Sequence, residues 1–209
     1  MTSDNDLPFG SCISNFGKAV SLLRKCTPLS ADILDVGSGP GAFLRQARGL
    51  GFSSITASDC ERSTDFQPFF LFDAEKKWPF KEQSFDAVTS WNVLEHLRNP
   101  RHFFGEAHRV MKSGGVLLFS IPNYLNARNR ISFLFSGEFS RYKDNELHLT
   151  AFTTATLRRA WDGLFALENR GYAGLHKRRM WKVFAWFLCR SPFLKMLRGE
   201  TIFIVLRRI

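Results

Sequence analysis

Two hydrophobic rhythms alternate along the chain. Short apolar runs that end at an acidic or turn-forming residue predict buried strands, and stretches with apolar positions three and four apart predict amphipathic helices. ISNFGKAVSLLRKC reads as a helix leading into a strand at ILDV, and AFLRQARGLG reads as a second helix ending at a glycine. SSITAS predicts a second strand ending at Asp59, PFFLF a third ending at Asp73, and SFDAVTSW a fourth. NPRHFFGEAHRVMKSGG predicts a helix closed by Gly114 and Gly115, followed by a fifth strand, GVLLFSI, stopped by Pro122. From Asn123 to Thr150 the rhythm fails. Beyond it lie a helix in TTATLRRAWDGL, a strand in FALENRGYA and a last strand in ETIFIVLRR. Strands alternating with helices predict an α/β fold, a mostly parallel sheet with helices on both faces.

No repeat or clear linker interrupts the 209 residues, so one domain, 1–209, is expected. Its core is assigned to residues 31–123 and 151–209, with a lid or acceptor-binding segment at 124–150. The hydrophobic content of 44% suits a globular protein, and 22 phenylalanines point to wide apolar pockets or an aromatic-rich surface. Four scattered cysteines form no C-x-x-C pair, and no histidine falls at metal spacing. That pattern favours reduced thiols in a cytoplasmic compartment and gives no reason to expect a metal. The N-terminus is polar and acidic, unlike a signal peptide, and no apolar run approaches the roughly 20 residues of a membrane span.

Between the first strand and the helix after it, ILDVGSGPGAF places Gly37, Gly39 and Gly41 at alternate positions. A loop so bare of side chains admits positive φ and a close ligand at the strand's carboxyl end. Read as Gly37, Gly39 and Ala42, it fits a dinucleotide fingerprint with Asp59 near the ribose-binding distance. Asp35, two residues before the first glycine, suits a ligand carrying an ammonium better than one presenting only phosphates.

The order and spacing of ILDVGSGPGAF, FDAEKKWPFKEQSFDAVTSWNVLEHL and RNPRHFFGEAHRVMKSGGVLLFSIPN, over about residues 31–123, closely resemble the small-molecule branch of the class I S-adenosylmethionine-dependent methyltransferases. A fainter likeness continues through HLTAFTTATLRRAW and LENRGYAG. The resemblance implies a Rossmann-like seven-stranded sheet, mostly parallel, whose last strand runs antiparallel. It implies S-adenosylmethionine as cofactor and S-adenosylhomocysteine as product. By it, Gly37, Ser38, Gly39 and Gly41 line the methionine and ribose part, and Asp35 acts near the ammonium, directly or through water. Asp59 accepts from the ribose hydroxyls, and Asp73 with Ala74 lies at the adenine edge. Trp91 and Asn92 face the methionine end and the acceptor. Ser58 stands where the family more often has a small apolar residue. Each carboxylate also has a plainer reading: Asp59 as an exposed strand end, Asp73 as a turn cap. Asp86 reads as structural, and Glu106 with Arg109 as a surface ion pair.

Methyl transfer needs the acceptor held in line with water excluded, and a hydroxyl acceptor also needs a base. His96, ending NVLEHL, and His148, opening HLTAFT, are the catalytic candidates, ahead of Glu95 and Glu146. The asparagine-proline-proline-aromatic motif of base-directed amino methyltransferases does not occur after the fourth strand, nor do the two glutamates of the arginine-directed type. The expected acceptor is a small or lipid- or glycan-linked molecule, methylated on oxygen; the glycan part is what the resemblance of SIPN and HLTAF implies. The alternatives are a nicotinamide-dependent oxidoreductase, which needs a second mononucleotide half, and a cofactor-binding protein without catalysis.

The formal charge of +10 is concentrated late in the chain: residues 174–199 hold seven Lys or Arg and no acid. There, Met180, Val183, Phe184, Phe187 and Leu188 share one helix face. The segment 176–199 therefore reads as a basic amphipathic crossover helix packed on the sheet. The second reading is peripheral membrane contact through residues 177–198, and nucleic acid is a weaker partner because no binding module is visible.

Overall fold

The computed structural model describes residues 13–139, 148–175 and 199–209. Its seven strands form one sheet in the order β3-β2-β1-β4-β5-β7-β6. They are β1 (Ile33–Val36), β2 (Ile55–Asp59), β3 (Phe69–Leu71), β4 (Phe85–Trp91), β5 (Met111–Pro122), β6 (Phe165–Leu175) and β7 (Gly199–Arg208). Neighbours from β3 to β5 pair in parallel, whereas β7 enters between β5 and β6 antiparallel to both. This is the sheet expected from the sequence. It also disposes of the nicotinamide alternative, because the chain after β5 builds an antiparallel strand in place of a second parallel half.

Burial on both faces explains the continuously apolar strands. Successive residues point to opposite faces, and β5 shows the consequence. Leu117, Phe119 and Ile121 join Phe103, Phe104, Leu157 and Trp161 of α3 (Pro100–Val110) and α5 (Thr154–Trp161). Val116 and Leu118 face the other way, towards Ala19, Leu23, Phe43 and Leu44 of α1 (Ile13–Cys26) and α2 (Ala42–Gly49).

Two boundaries differ from expectation. Helix α3 stops at Val110, and Met111 is already extended (ψ 145°) and paired with Phe85 of β4. The next pair is Ala87 with Val116, so residues 112–115 bulge, with Gly114 at φ 70°. The glycine pair thus shapes a strand irregularity and does not cap the helix. Within 124–150, a helix α4 (Ala127–Ser136) forms, capped by the Asn126 side chain and closed by Gly137 at φ 72°. Its root is fixed: Asn123 Nδ2 donates to Gly199 O at 2.7 Å, and Asn126 Nδ2 donates to Asn123 O at 2.8 Å. The predicted 176–199 crossover falls mostly outside the described residues. Its last position, Gly199, opens β7.

The expected surface pair is not one. Glu106 is buried and receives two hydrogen bonds from Arg109, at 2.9 and 2.7 Å. It also accepts the Trp78 N–H, while Arg109 donates to the carbonyls of Trp78 and Phe80. The pair therefore clamps the 78–80 segment onto α3. Asp86 is structural as expected, accepting from Asp32 N–H and Lys112.

Candidate functional site

The parallel register sets Asp35 beside Ala57 and Thr89, so the segments leaving β1, β2 and β4 meet at one end of the sheet. After β1 the chain turns through Gly37, Gly39 and Gly41 at φ 76°, 49° and 77°. At Gly37 a Cβ would lie 2.3 Å from Val93 Cγ2, so the loop after β4 rests against the backbone there. At Gly39 a Cβ would meet nothing within 4 Å. That opening, with left-handed backbone, leaves room for a ligand to approach the main chain.

The second strand holds this loop from below. Gly37 N–H and Ser38 N–H both donate to Ser58 O at 2.9 Å, and Gly39 N–H donates to Asp59 Oδ2 at 2.8 Å. Asp59 Oδ1 accepts the Cys60 N–H. Each carboxylate oxygen can accept more than one bond, so both remain capable of receiving hydroxyls. Ser58, the departure from the family pattern, is fully buried and donates to Asp35 O, as does Ser38. The sequence marks Ser58 only as a hydroxyl in an otherwise apolar strand.

Asp35 is fully buried. Thr89 Oγ1 donates to its Oδ1 at 2.6 Å, while Oδ2 has no hydrogen-bond partner among the described residues. Burial pushes the carboxyl up to about 7, against the hydrogen bonds that favour its charge. The Trp91 indole N–H also favours the charged form without reaching hydrogen-bond geometry, and its Nε1 is a second buried atom with no partner there. Trp91 itself lies in the core, its ring 4.9 Å from that of Phe43 and 6.0 Å from that of Phe203. A buried, half-satisfied carboxylate beneath a glycine-rich loop fits a ligand that brings a cationic nitrogen. S-adenosylmethionine meets that condition.

Asn92 closes β4 at φ 56°, a left-handed conformation that asparagine tolerates, and its Oδ1 accepts from Ser120 Oγ at 2.6 Å. Asp73 follows β3, whose end is tied to Asp59 by Phe72 N–H donating to Asp59 O. Its Oδ1 accepts Glu75 N–H, a turn cap, and the neighbouring Ala74 O accepts from Trp78 Nε1.

His96 and His148, 52 positions apart, come together with ring centroids 4.9 Å apart. Leu149 N–H and Thr150 N–H both donate to Glu95 O, at 2.7 and 3.0 Å, and Thr150 Oγ1 donates to Leu97 O. These bonds fasten the segment around His148 to the short 3-10 turn Leu94–His96. Tyr124 Oη lies 3.0 Å from His148 Nδ1. Glu95, fully buried, joins the two histidines in a cluster whose candidate donor atoms lie within 4.8 Å of one another. Glu146 lies outside the described residues.

The sequence matches the methyltransferase domain family over residues 14–164. A Pseudomonas syringae ubiquinone biosynthesis O-methyltransferase is 29% identical over 125 residues, covering 53% of this chain and 50% of that protein. An Aphanothece halophytica sarcosine/dimethylglycine N-methyltransferase is 31% identical over 108 residues, covering 46% of this chain and 39% of that one. The chain thus spans half or less of the length of these curated relatives. A chain from the complex of the Haloferax volcanii Trm112 methyltransferase activator with a methyltransferase superposes with a TM-score of 0.67. The identity there is 20%, and 95% of this chain and 92% of that one are covered. With the glycine loop, the buried acid and the sheet order all in place, the chain belongs to the methyltransferase domain family of class I S-adenosylmethionine-dependent enzymes.

Proposed function

We propose that this protein transfers a methyl group from S-adenosylmethionine to an oxygen of a small or lipid- or glycan-linked acceptor. The observation that carries the oxygen assignment is the convergence of His96 and His148 beyond β4. A hydroxyl must lose its proton as it attacks, and two imidazoles are the groups suited to that near neutral pH. The cofactor supplies a methyl already activated on a sulfonium. Asp35 holds the ammonium, the Gly37–Gly41 loop cradles the methionine and ribose part, and Asp59 accepts the ribose hydroxyls. Asp73 and Ala74 border the adenine, while Asn92 flanks the methionine end; Trp91, expected there, packs in the core with only its indole N–H turned towards Asp35.

The surface of α4 favours a lipid-linked acceptor. Ile131, Leu134 and Phe135 are 59%, 78% and 83% exposed on its outer side, with exposed Arg128 and Arg130 on either flank. An apolar strip edged by arginines suits an anionic lipid surface. The other membrane-contact segment expected from the sequence, 177–198, lies outside the described residues. Among the described residues no helix is long and apolar enough to cross a membrane.

The test is transfer of a labelled methyl group to a panel of hydroxyl and amine acceptors, free or held in anionic vesicles, with binding followed alongside. Adenosylhomocysteine at 100 times its Kd should stabilise the fold by about 2.7 kcal/mol, and NAD should not. Label appearing on oxygen, and lost in His96→Asn with His148→Asn, supports the reading. Stabilisation by NAD alone overturns it, and label confined to amines overturns the oxygen assignment.

A further inference from the structure

We infer that Glu95, His96 and His148 form a binding site for a divalent cation of the zinc or manganese class, placed to take the oxygen of the acceptor. The inference rests on the methyl-transfer reading and specifies how that site activates its substrate. One carboxylate and two imidazoles are a donor set that suits borderline divalent ions and leaves coordination positions open for a substrate oxygen. The three donors lie within 4.8 Å of one another. A point therefore exists no more than about 2.8 Å from each, against about 2.0–2.2 Å in a filled zinc site. Closing the site takes a side-chain movement of less than about an ångström.

Three features prepare the cluster. The buried Glu95 carboxylate sits where low polarity strengthens its attraction for a cation. Tyr124 Oη, buried at 2% exposure, lies 3.0 Å from His148 Nδ1. That contact holds the His148 ring in place, the outer-sphere support common for ligating histidine. The paired backbone bonds from Leu149 and Thr150 to Glu95 O set the spacing between ligands far apart in sequence. Meanwhile His96 is exposed, which leaves a path from solvent for the ion and the acceptor.

A hydroxyl bound to such a cation ionises more readily, as zinc-bound water does. Its proton passes to solvent. The oxygen pair then forms the new C–O bond as the methyl–sulfur bond breaks, that pair staying on sulfur to give the neutral thioether. In this role the two histidines promote loss of the hydroxyl proton through the cation they hold, in place of taking it directly, and oxygen remains the acceptor atom.

The test is calorimetric titration of the chelator-treated full chain with zinc chloride, repeated with manganese chloride. One saturable equivalent is expected in the unmodified protein. Glu95→Gln, His96→Gln and His148→Ala should each weaken it by at least about tenfold, and Tyr124→Phe by about tenfold. His96 is exposed, so its variant keeps the test open should a buried change unfold the chain. Adenosylhomocysteine binding, measured on the same samples, should persist in His96→Gln. No saturable metal binding, or binding unchanged when all three ligands are replaced, overturns the cation site while leaving the methyltransferase reading intact if adenosylhomocysteine still binds. Metal bound without any adenosylhomocysteine affinity defeats the methyl-transfer reading on which the site's role depends.

Discussion

Binding of adenosylhomocysteine should release a proton from Asp35, and its affinity should fall as the solution becomes more acidic. The buried carboxyl titrates at about 7 in the free protein, raised from 3.8 by burial. Between those two pH values the folded state holds a proton that the unfolded chain has released, so this group makes the protein less stable as pH rises through that window. At about 1.4 kcal/mol per unit, the loss reaches about 4 kcal/mol by pH 8. A ligand ammonium near Oδ2, which has no partner among the described residues, reverses the preference and favours the carboxylate. About half a proton should then leave on binding at pH 7, approaching one near pH 6. If the bound form stays ionised, affinity at pH 5.5 should be about 30-fold weaker than at pH 8, at about tenfold per unit below the free pKa. Calorimetry in two buffers of different ionisation enthalpy measures the released protons directly. Asp35→Asn should abolish the release attributed to this group and flatten its share of the pH dependence. It should also stabilise the ligand-free protein at pH 8 by up to about 4 kcal/mol, because no buried charge remains. Equal proton release in Asp35→Asn and the unmodified protein would refute the assignment of Asp35 to the ligand's cationic group.

The glycine loop makes a paired prediction. Gly37→Ala meets Val93 at 2.3 Å with φ at 76° and should cost about 1–3 kcal/mol in chemical denaturation. Gly39→Ala has room for its methyl and should fold with about 1–2 kcal/mol of strain, yet lose adenosylhomocysteine affinity at least about tenfold because the methyl fills the cradle. Arg109→Leu strips hydrogen bonds from Glu106 and from the Trp78 and Phe80 carbonyls. With side chains only 20% and 11% exposed, this should cost about 3–5 kcal/mol by urea denaturation. Although burial pushes the Glu106 carboxyl up, bonds from Arg109 and Trp78 hold it below the usual carboxylate range. Its stabilisation is therefore complete above the ordinary carboxylate pKa and is lost on acidification, a loss that Arg109→Leu should reduce.

Much of the glycine-loop end of the sheet is legible in the chain itself. Positive φ at three alternate glycines, the acid two residues ahead of them, and a polar residue ending each apolar run are local requirements of backbone and pleat. Ala42 opens α2 and Asp59 ends β2 where the pattern puts them. Helix α4 escapes that pattern, although Asn126 and Gly137 mark both its ends, because its apolar residues face outward and carry no core rhythm. Ser58 and Thr89 escape it because a buried hydroxyl announces itself only through the partner it meets.

Local sequence set which residues prefer strand, turn or helix, since those preferences are settled within a few bonds of each residue. Tertiary packing settled where competing preferences gave way. Met111 left the helix because β4 offered it a pairing partner at Phe85, and a ladder bond outweighed the helical rhythm of the preceding residues. Glu106 and Arg109, spaced as any exposed pair on a helix, became a buried clamp once Trp78 and Phe80 settled on them. Burial, set by the whole sheet, moved the Asp35 carboxyl to about 7. The meeting of His96 with His148 was decided furthest from local sequence, by backbone bonds that close a loop of some fifty residues. Proximity of that kind depends on how the intervening chain folds, and no nearest-neighbour preference encodes it.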